Sequence, residues 1–314
     1  MGMDRREFIK SCSLVAVMGL LYGCRKLPLD EVARLGDGPT LKQFEDEVKL
    51  AVSQAKKQLD LVKVSRPGPL SIPGASPLNR FGMAIDLDLC DGCGECILAC
   101  NKENNVPLVP EDDAARGRFM HWVDMRSGAP FMCAHCGKAP CERVCPTGAA
   151  NHTPDGLSAM VYKRCAGSRF CGANCPVQAR KFNFNDAQKL GLARKFNKEV
   201  PLRDKGVMEK CSLCLHRLQN DRLKFKTQLS VAVAAAGNES VKNATENASG
   251  NASEWRGRGV TTACSDACKR RAIIFGNWLD EKSPLVQLTK DRVLYAPREI
   301  ADLDPSVVFM RGRR

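Results

Sequence analysis

Fifteen cysteines crowded into tight groups between Cys90 and Cys268 limit what this chain can fold around more than any other feature. The first group is Cys90-x2-Cys93-x2-Cys96-x3-Cys100 and the second Cys133-x2-Cys136-x4-Cys141-x3-Cys145, followed by Pro146. The third is Cys165-x5-Cys171-x3-Cys175, followed by Pro176, and the fourth is Cys211-x2-Cys214 with Cys264-x3-Cys268 after a long interruption. Three cysteines at two-residue intervals wrap a loop around three corners of an iron–sulfur cubane, while a fourth, three residues on and often before proline, serves a second cluster. Zinc takes two cysteines from each of two separated knuckles, which four cysteines between positions 90 and 100 do not provide. Disulfides suit an exported chain, but cysteines two apart in repeated runs meet the required geometry poorly. Iron–sulfur clusters are the expected ligands, and part of the folding energy is expected from them.

Charge agrees with that reading. The formal net charge of +13 counts every cysteine as neutral, whereas four clusters with their thiolates would remove about 8 units. Lys163, Arg164, Arg169, Arg180, Lys181, Lys210 and Lys269 to Arg271 stand beside cysteines and are expected to compensate anionic clusters. No basic stripe interleaved with aromatics indicates nucleic acid. There is no Gly-rich nucleotide loop, flavin fingerprint or recognisable acid–base pair. All four histidines read as packing or surface residues: His135 and His216, beside groups two and four, could tune a cluster by hydrogen bonding, and His121 and His152 show no nearby carboxylate or serine pattern suggesting catalysis.

The N-terminus, Asp4-Arg5-Arg6-Glu7-Phe8-Ile9-Lys10 before an apolar run from Leu14 to Tyr22, resembles a twin-arginine export signal. Export in the folded state suits clusters assembled before translocation, and places the chain on the extracytoplasmic side of the membrane. Residues 1–24 are therefore read as an address. Leu21-Tyr22-Gly23-Cys24 resembles a lipobox, with an unusual tyrosine, making Cys24 a candidate for lipidation; Cys12 is a spare thiol. Residues 25–79 are read as a tether. Within it, positions 40–64 have apolar residues at helical spacing behind a Thr40/Gln43 capping box, and 65–79 form a Pro/Gly linker.

The cluster-bearing domain is expected over 80–279. Strand candidates at Phe81–Leu89, Phe119–Met125, Leu157–Tyr162 and Ala272–Phe275 each lie near a cysteine group, giving the look of a duplicated α+β unit. A mobile insertion is expected over about 222–260, where 231–253 are small and polar. Its Asn-x-Ser/Thr triplets at Asn238, Asn243, Asn247 and Asn251 are read as a by-product of composition. The tail, 280–314, is expected to wrap the domain or contact a partner.

The stretch from Phe81 to Phe275 resembles the iron–sulfur subunits of respiratory molybdoenzymes and their relatives: dimethyl sulfoxide, polysulfide and tetrathionate reductase subunits, a periplasmic hydrogenase partner, and the iron–sulfur part of alternative complex III. The likeness rests on CDGCGECILACNKENNVP (90–107), CAHCGKAPCERVCPTGA (133–149), CAGSRFCGANCP (165–176) and KCSLCLHRL (210–218). It implies two pseudo-duplicated dicluster ferredoxin-like units. It assigns Cys90, Cys93, Cys96 and Cys268 to a first cluster, and Cys211, Cys214, Cys264 and Cys100 to a second. Cys133, Cys136, Cys141 and Cys175 fall to a third, and Cys165, Cys171 and Cys145 to a fourth.

Ser168 stands where the family usually has the fourth cluster's remaining cysteine. A cubane lacking one thiolate tends to lose that iron, so three [4Fe–4S] and one [3Fe–4S] are expected; the alternative is four [4Fe–4S] with Ser168 as ligand. Lys269 replaces the proline expected after Cys268, and the Cys214–Cys264 loop is longer than usual. The resemblance implies a non-catalytic electron-transfer subunit. Its partners would be a molybdopterin-type or hydrogenase-type catalytic subunit and a membrane quinone subunit or multihaem cytochrome. Rival readings are a self-contained reductase acting at an exposed three-iron site and an assembly protein whose metal serves only folding.

Overall fold

The computed structural model describes residues 38–55, 58–235 and 255–312. The export-signal stretch with Cys12 and Cys24, and the four Asn-x-Ser/Thr triplets, lie outside the described residues. Among the described residues no helix is long and apolar enough to cross a membrane.

The helix that opens the described chain, Leu41–Ser53, begins at the expected capping box: the Thr40 side chain accepts from the Gln43 backbone N–H, and Gln43 Oε1 accepts from Thr40 N–H at 2.6 Å. It stops eleven residues before the expected end. Leu61–Val64 is instead a strand, β1, drawn into antiparallel pairing with Val293–Pro297 (β10). Residues 65–79 contain neither helix nor strand, as their prolines and glycines require.

The main sheet runs β1-β10-β11-β2-β9, with β2 at Phe81–Asp86, β9 at Ile273–Asn277 and β11 at Val307–Arg311. Only the β11–β2 pairing is parallel. All six residues of β2 are buried because both faces of the strand are covered. Phe81, Met83 and Ile85 enter the core that holds Cys96, Cys100, Cys133, Cys211 and Cys264. Ala84 enters a second core with Trp278, Leu285, Val286, Val308 and Met310. The alternation follows from the two-residue side-chain period of a strand. The tail is built into the domain: β10 and β11 are strands of the main sheet, and the Pro284–Thr289 helix packs in the second core.

Arg80, 1% exposed, locks linker, sheet and tail together. It donates to Ser306 Oγ at 3.0 Å, the Gly68 carbonyl at 2.6 Å and the Asp304 carbonyl at 2.8 Å. Beside it Gly82 leaves no room for a Cβ, which would collide with the Ser306 carbonyl and the Trp278 indole nitrogen. Gly82→Ala is expected to cost about 3 kcal/mol, a fall in Tm of roughly 6–12 °C by thermal unfolding of the holo protein.

Three two-stranded sheets carry the cysteine groups: β3–β4 (Val123–Arg126, Ala129–Met132), β5–β6 (Ala150–His152, Ser158–Met160) and β7–β8 (Lys181–Phe182, Met208–Glu209). The expected strands near 119–125, 157–162 and 272–275 are present as β3, β6 and β9, with β3 and β6 shorter than expected. Part of the stretch expected as an insertion is regular structure. A helix runs from Leu215 to Ala235, and Trp255 packs on Phe81 and donates to Asp221 at 2.7 Å. Residues 236–254 lie outside the described part.

Candidate metal centres

The same local unit recurs at all four cysteine groups. Cys96, Cys141, Cys171 and Cys264 are each the second residue of a short helix: Glu95–Glu103, Pro140–Arg143, Phe170–Ala173 and Ala263–Asp266. Cys100, Cys145, Cys175 and Cys268 follow four residues later. Each of these last sulfurs accepts an N–H from just beyond it. Cys145 takes one from Ala150 at 3.4 Å, Cys175 from Ala179 at 3.4 Å and Cys268 from Ala272 at 3.2 Å; Cys100 takes the Asn104 side-chain amide at 3.4 Å. Cys268, despite the lysine after it, sits as Cys175 does.

The loops ahead of the helices curl through left-handed backbone. Gly92 (φ 72°) and Gly94 (φ 81°) flank Cys93, and Gly167 (φ 69°) and Arg169 (φ 62°) flank Ser168. Both first glycines face a glycine carbonyl that a Cβ would strike, Gly128 for Gly92 and Gly206 for Gly167. Ser168 therefore occupies, on exposed backbone, the position that Cys93 has in group one.

Cys90, Cys93, Cys96 and Cys268 line one cleft of about 420 Å³, together with Met125, Pro130 and Ile273. Cys100, Cys211, Cys214 and Cys264 are all buried. Burial and then the neighbouring Cys211, Cys264 and Cys214 hold the Cys100 thiol well above its usual pKa, and burial with Cys264 pushes Cys214 to about 12. Cys136 is raised in the same way, by burial and then by Cys133, Cys141 and Cys175. Cys171 shares a small core with Cys141 and Met208, with Cys165 at its edge. The helix carrying Cys141 packs on the one carrying Cys171.

These sets also adjoin one another. Cys96 feels Cys264, Cys211 feels Cys133, and Arg180 feels Cys141, Cys133 and Cys171. The fifteen described cysteines are free thiols. Among the described residues no three His, Cys, Asp or Glu side chains converge closely enough for a single metal ion. Four thiols around a cleft fit a sulfur-ligated group several atoms across, and burying so many thiols without a partner is otherwise unfavourable for their ionised form.

Of the basic residues expected to offset cluster charge, two are placed to do so. Arg180 donates to Cys141 Sγ at 3.0 Å, and buried Lys210 donates to the Ser158 and Cys211 carbonyls. Lys181, Lys269 and Arg270 pair instead with Asp124, Glu95 and Asp91.

The histidines are packed into the protein, three of them against carboxylates. His135 is fully buried with neither ring nitrogen bonded, and its pKa is lowered first by burial and then by Lys210. His216 pairs with Glu103 at 2.7 Å. His121 and His152 do have carboxylate neighbours: Glu47 at 3.5 Å and Glu142 at 2.6 Å. Burial holds His121 near pKa 4 and pushes Glu47 to about 7, each shift disfavouring the charged form.

Residues 89–149 match the family model of the 4Fe-4S dicluster domain. Over 250 residues the chain is 31% identical to the iron–sulfur cluster-binding subunit of a menaquinone reductase from Nitratidesulfovibrio vulgaris, covering 74% of this chain and 89% of that protein. It is 33% identical over 251 residues to a Halobacterium salinarum protein assigned as the iron–sulfur subunit of a dimethyl sulfoxide reductase, covering 75% and 80%. It is 27% identical over 274 residues to the arsenate respiratory reductase iron–sulfur subunit of a Shewanella species, covering 74% and 97%.

Proposed function

The chain belongs to the iron–sulfur electron-transfer subunits of molybdoenzyme-type complexes, and from that premise we propose that its four cysteine sets form one conducting row through two pseudo-duplicated dicluster units. The observation that carries this reading is the order of the sets. Cys96 adjoins Cys264, Cys211 adjoins Cys133, and Cys141 adjoins Cys171 across Arg180. The inner sets are more buried, while Cys93 and Ser168 at the two ends are exposed.

Bound clusters supply one-electron transfer without proton or atom chemistry on the protein. The residues exclude water from the inner sets, aim N–H groups at the last cysteine of each group, and place Arg180 and Lys210 against charge. The ligand sets are those named above: Cys90, Cys93, Cys96 and Cys268; Cys100, Cys211, Cys214 and Cys264; Cys133, Cys136, Cys141 and Cys175; and Cys145, Cys165 and Cys171. The last is read as a [3Fe–4S] site with Ser168 at the missing corner, and the others as [4Fe–4S] sites. One end would meet a molybdopterin-type or hydrogenase-type catalytic subunit and the other a membrane quinone subunit or multihaem cytochrome, on the extracytoplasmic side.

Low-temperature EPR with iron and sulfide analysis on anaerobically purified protein tests this. A near-isotropic oxidised signal, replaced on reduction by coupled signals, is expected, with iron one atom short of four full cubanes. An absent oxidised signal with full cubane iron makes Ser168 a ligand; zinc without iron removes the reading. Arg180→Leu is expected to lower the potential of the Cys141 site by roughly 60–130 mV, the equivalent of about 1.5–3 kcal/mol for a charged hydrogen bond. Redox titration followed by EPR measures it.

A further inference from the structure

The two ends of the row carry different charge patterns. At the Cys90–Cys268 end most of the cations are neutralised within the chain: Lys269 pairs with Glu95 at 2.8 Å and Arg270 with Asp91 at 3.2 Å, leaving Arg271 exposed without a carboxylate among the described residues. At the Ser168 end Arg143, Lys163 and Arg164 are exposed and have no carboxylate partner among the described residues. Glu142, the acid next to them in sequence, is turned onto His152 at 2.6 Å.

The same face exposes large apolar groups. Phe170 is 58% exposed, Phe184 49% and Val161 38%. Phe182 and Phe184 stack edge-on at 4.6 Å, and the Arg169 guanidinium lies 5.1 Å and 5.9 Å over their rings. Arg169 does this from left-handed backbone (φ 62°), at the position where the equivalent loop of group one uses Gly94. A non-glycine residue held there is strained, and such strain persists where the side chain serves a purpose. Here the side chain lies over Phe182 and Phe184, which keeps a cation beside the exposed ring of Phe184.

We propose that this face, centred on Ser168 and Phe170, is the docking surface for a protein partner whose contact patch has an apolar centre and an acidic rim. The proposal rests on the redox reading of Cys145, Cys165 and Cys171. A lipid headgroup would meet the charge but offers no redox centre to exchange electrons with that site, which selects a protein. Exposed aromatics together with unpaired cations match an interface with a desolvated apolar part and a charged part.

The test uses the full chain with its clusters, expressed in its native host, with a photoreactive benzoylphenylalanine at position 170. A control carries the same probe at position 288, where Leu288 is 57% exposed on the far side of the sheet. Position 170, and not 288, is expected to cross-link to another protein within a segment where acidic residues flank apolar ones. The yield is expected to fall at least tenfold in the Arg143→Glu/Lys163→Glu double variant, and between about 0.05 and about 0.5 M salt. Arg169→Gly separates docking from folding: it should melt no lower than the parent, keep its iron, and still lose cross-link. Links to lipid alone, links to a second copy, or a yield indifferent to charge reversal would overturn the proposal. Iron content and the oxidised EPR signal are read on the same samples. Position 170 left unlinked in a fully loaded protein overturns the docking surface alone, whereas iron missing from the parent overturns the redox reading.

Discussion

Stripping the iron from the purified protein is expected to abolish its cooperative thermal transition, leaving no empty native scaffold. Cys96, Cys100, Cys133, Cys211 and Cys264 lie in the same core as Phe81, Met83, Ile85, Phe275 and Phe309, so the sites occupy the middle of the fold. The cleft at Cys90, Cys93, Cys96 and Cys268 alone measures about 420 Å³. Enclosed and dry, a void of that size would cost on the order of 10 kcal/mol at ~24 cal/mol per Å³, an upper bound here because Cys93 on its lining is exposed. Flooding it instead wets Met125 and Ile273, which line it. Relief by thiol ionisation is closed off, because burial and mutual repulsion hold the inner thiols well above their usual pKa. Collapse around the void would move β2 and β9, and those strands carry the second core on their other face. Circular dichroism before and after chelation under mild denaturant measures the effect. An iron-free chain that melts cooperatively within about 10 °C of the parent would show that the metal does not hold the fold together, contrary to the linkage argued here.

The cysteine groups were legible because their information is local: four spacings, each realised as a loop and a short helix. Local patterns failed where partners are remote. Leu59 and Val62 continue the helical spacing of Leu41–Ser53, yet Val62 lies opposite Ala296 in the β1–β10 pairing. Helical spacing yields to such tertiary context. The tail showed no periodicity for a related reason: Val307 and Phe309 face one core while Val308 and Met310 face the other. A strand buried on both faces leaves no polar alternation to read. The acid–histidine pairs were invisible because Glu47 lies on the opening helix and His121 just ahead of β3. The adjacency of Cys96 to Cys264 likewise cannot follow from spacing; the pairing of groups one and four came from family resemblance alone.

Ser168→Cys is expected to add one iron per chain, remove the near-isotropic oxidised signal and lower the potential of that site. Backbone geometry supports the expectation. Gly167 and Arg169 curl as Gly92 and Gly94 do, and Gly167 abuts the Gly206 carbonyl as Gly92 abuts that of Gly128. A thiolate at 168 would then stand as Cys93 stands among Cys90, Cys96 and Cys268. Because Ser168 is exposed, the exchange touches no core packing, and stability should change by no more than about 0.5 kcal/mol. The experiment therefore isolates ligation from folding, which replacing a buried cysteine cannot do. An unchanged signal with unchanged iron would mean that position 168 does not face the cluster, despite its matching loop. A parent protein already lacking the signal, with full cubane iron, would mean that the serine oxygen binds the fourth iron. In that case Ser168→Ala, and not Ser168→Cys, becomes the variant that loses an iron and gains the signal.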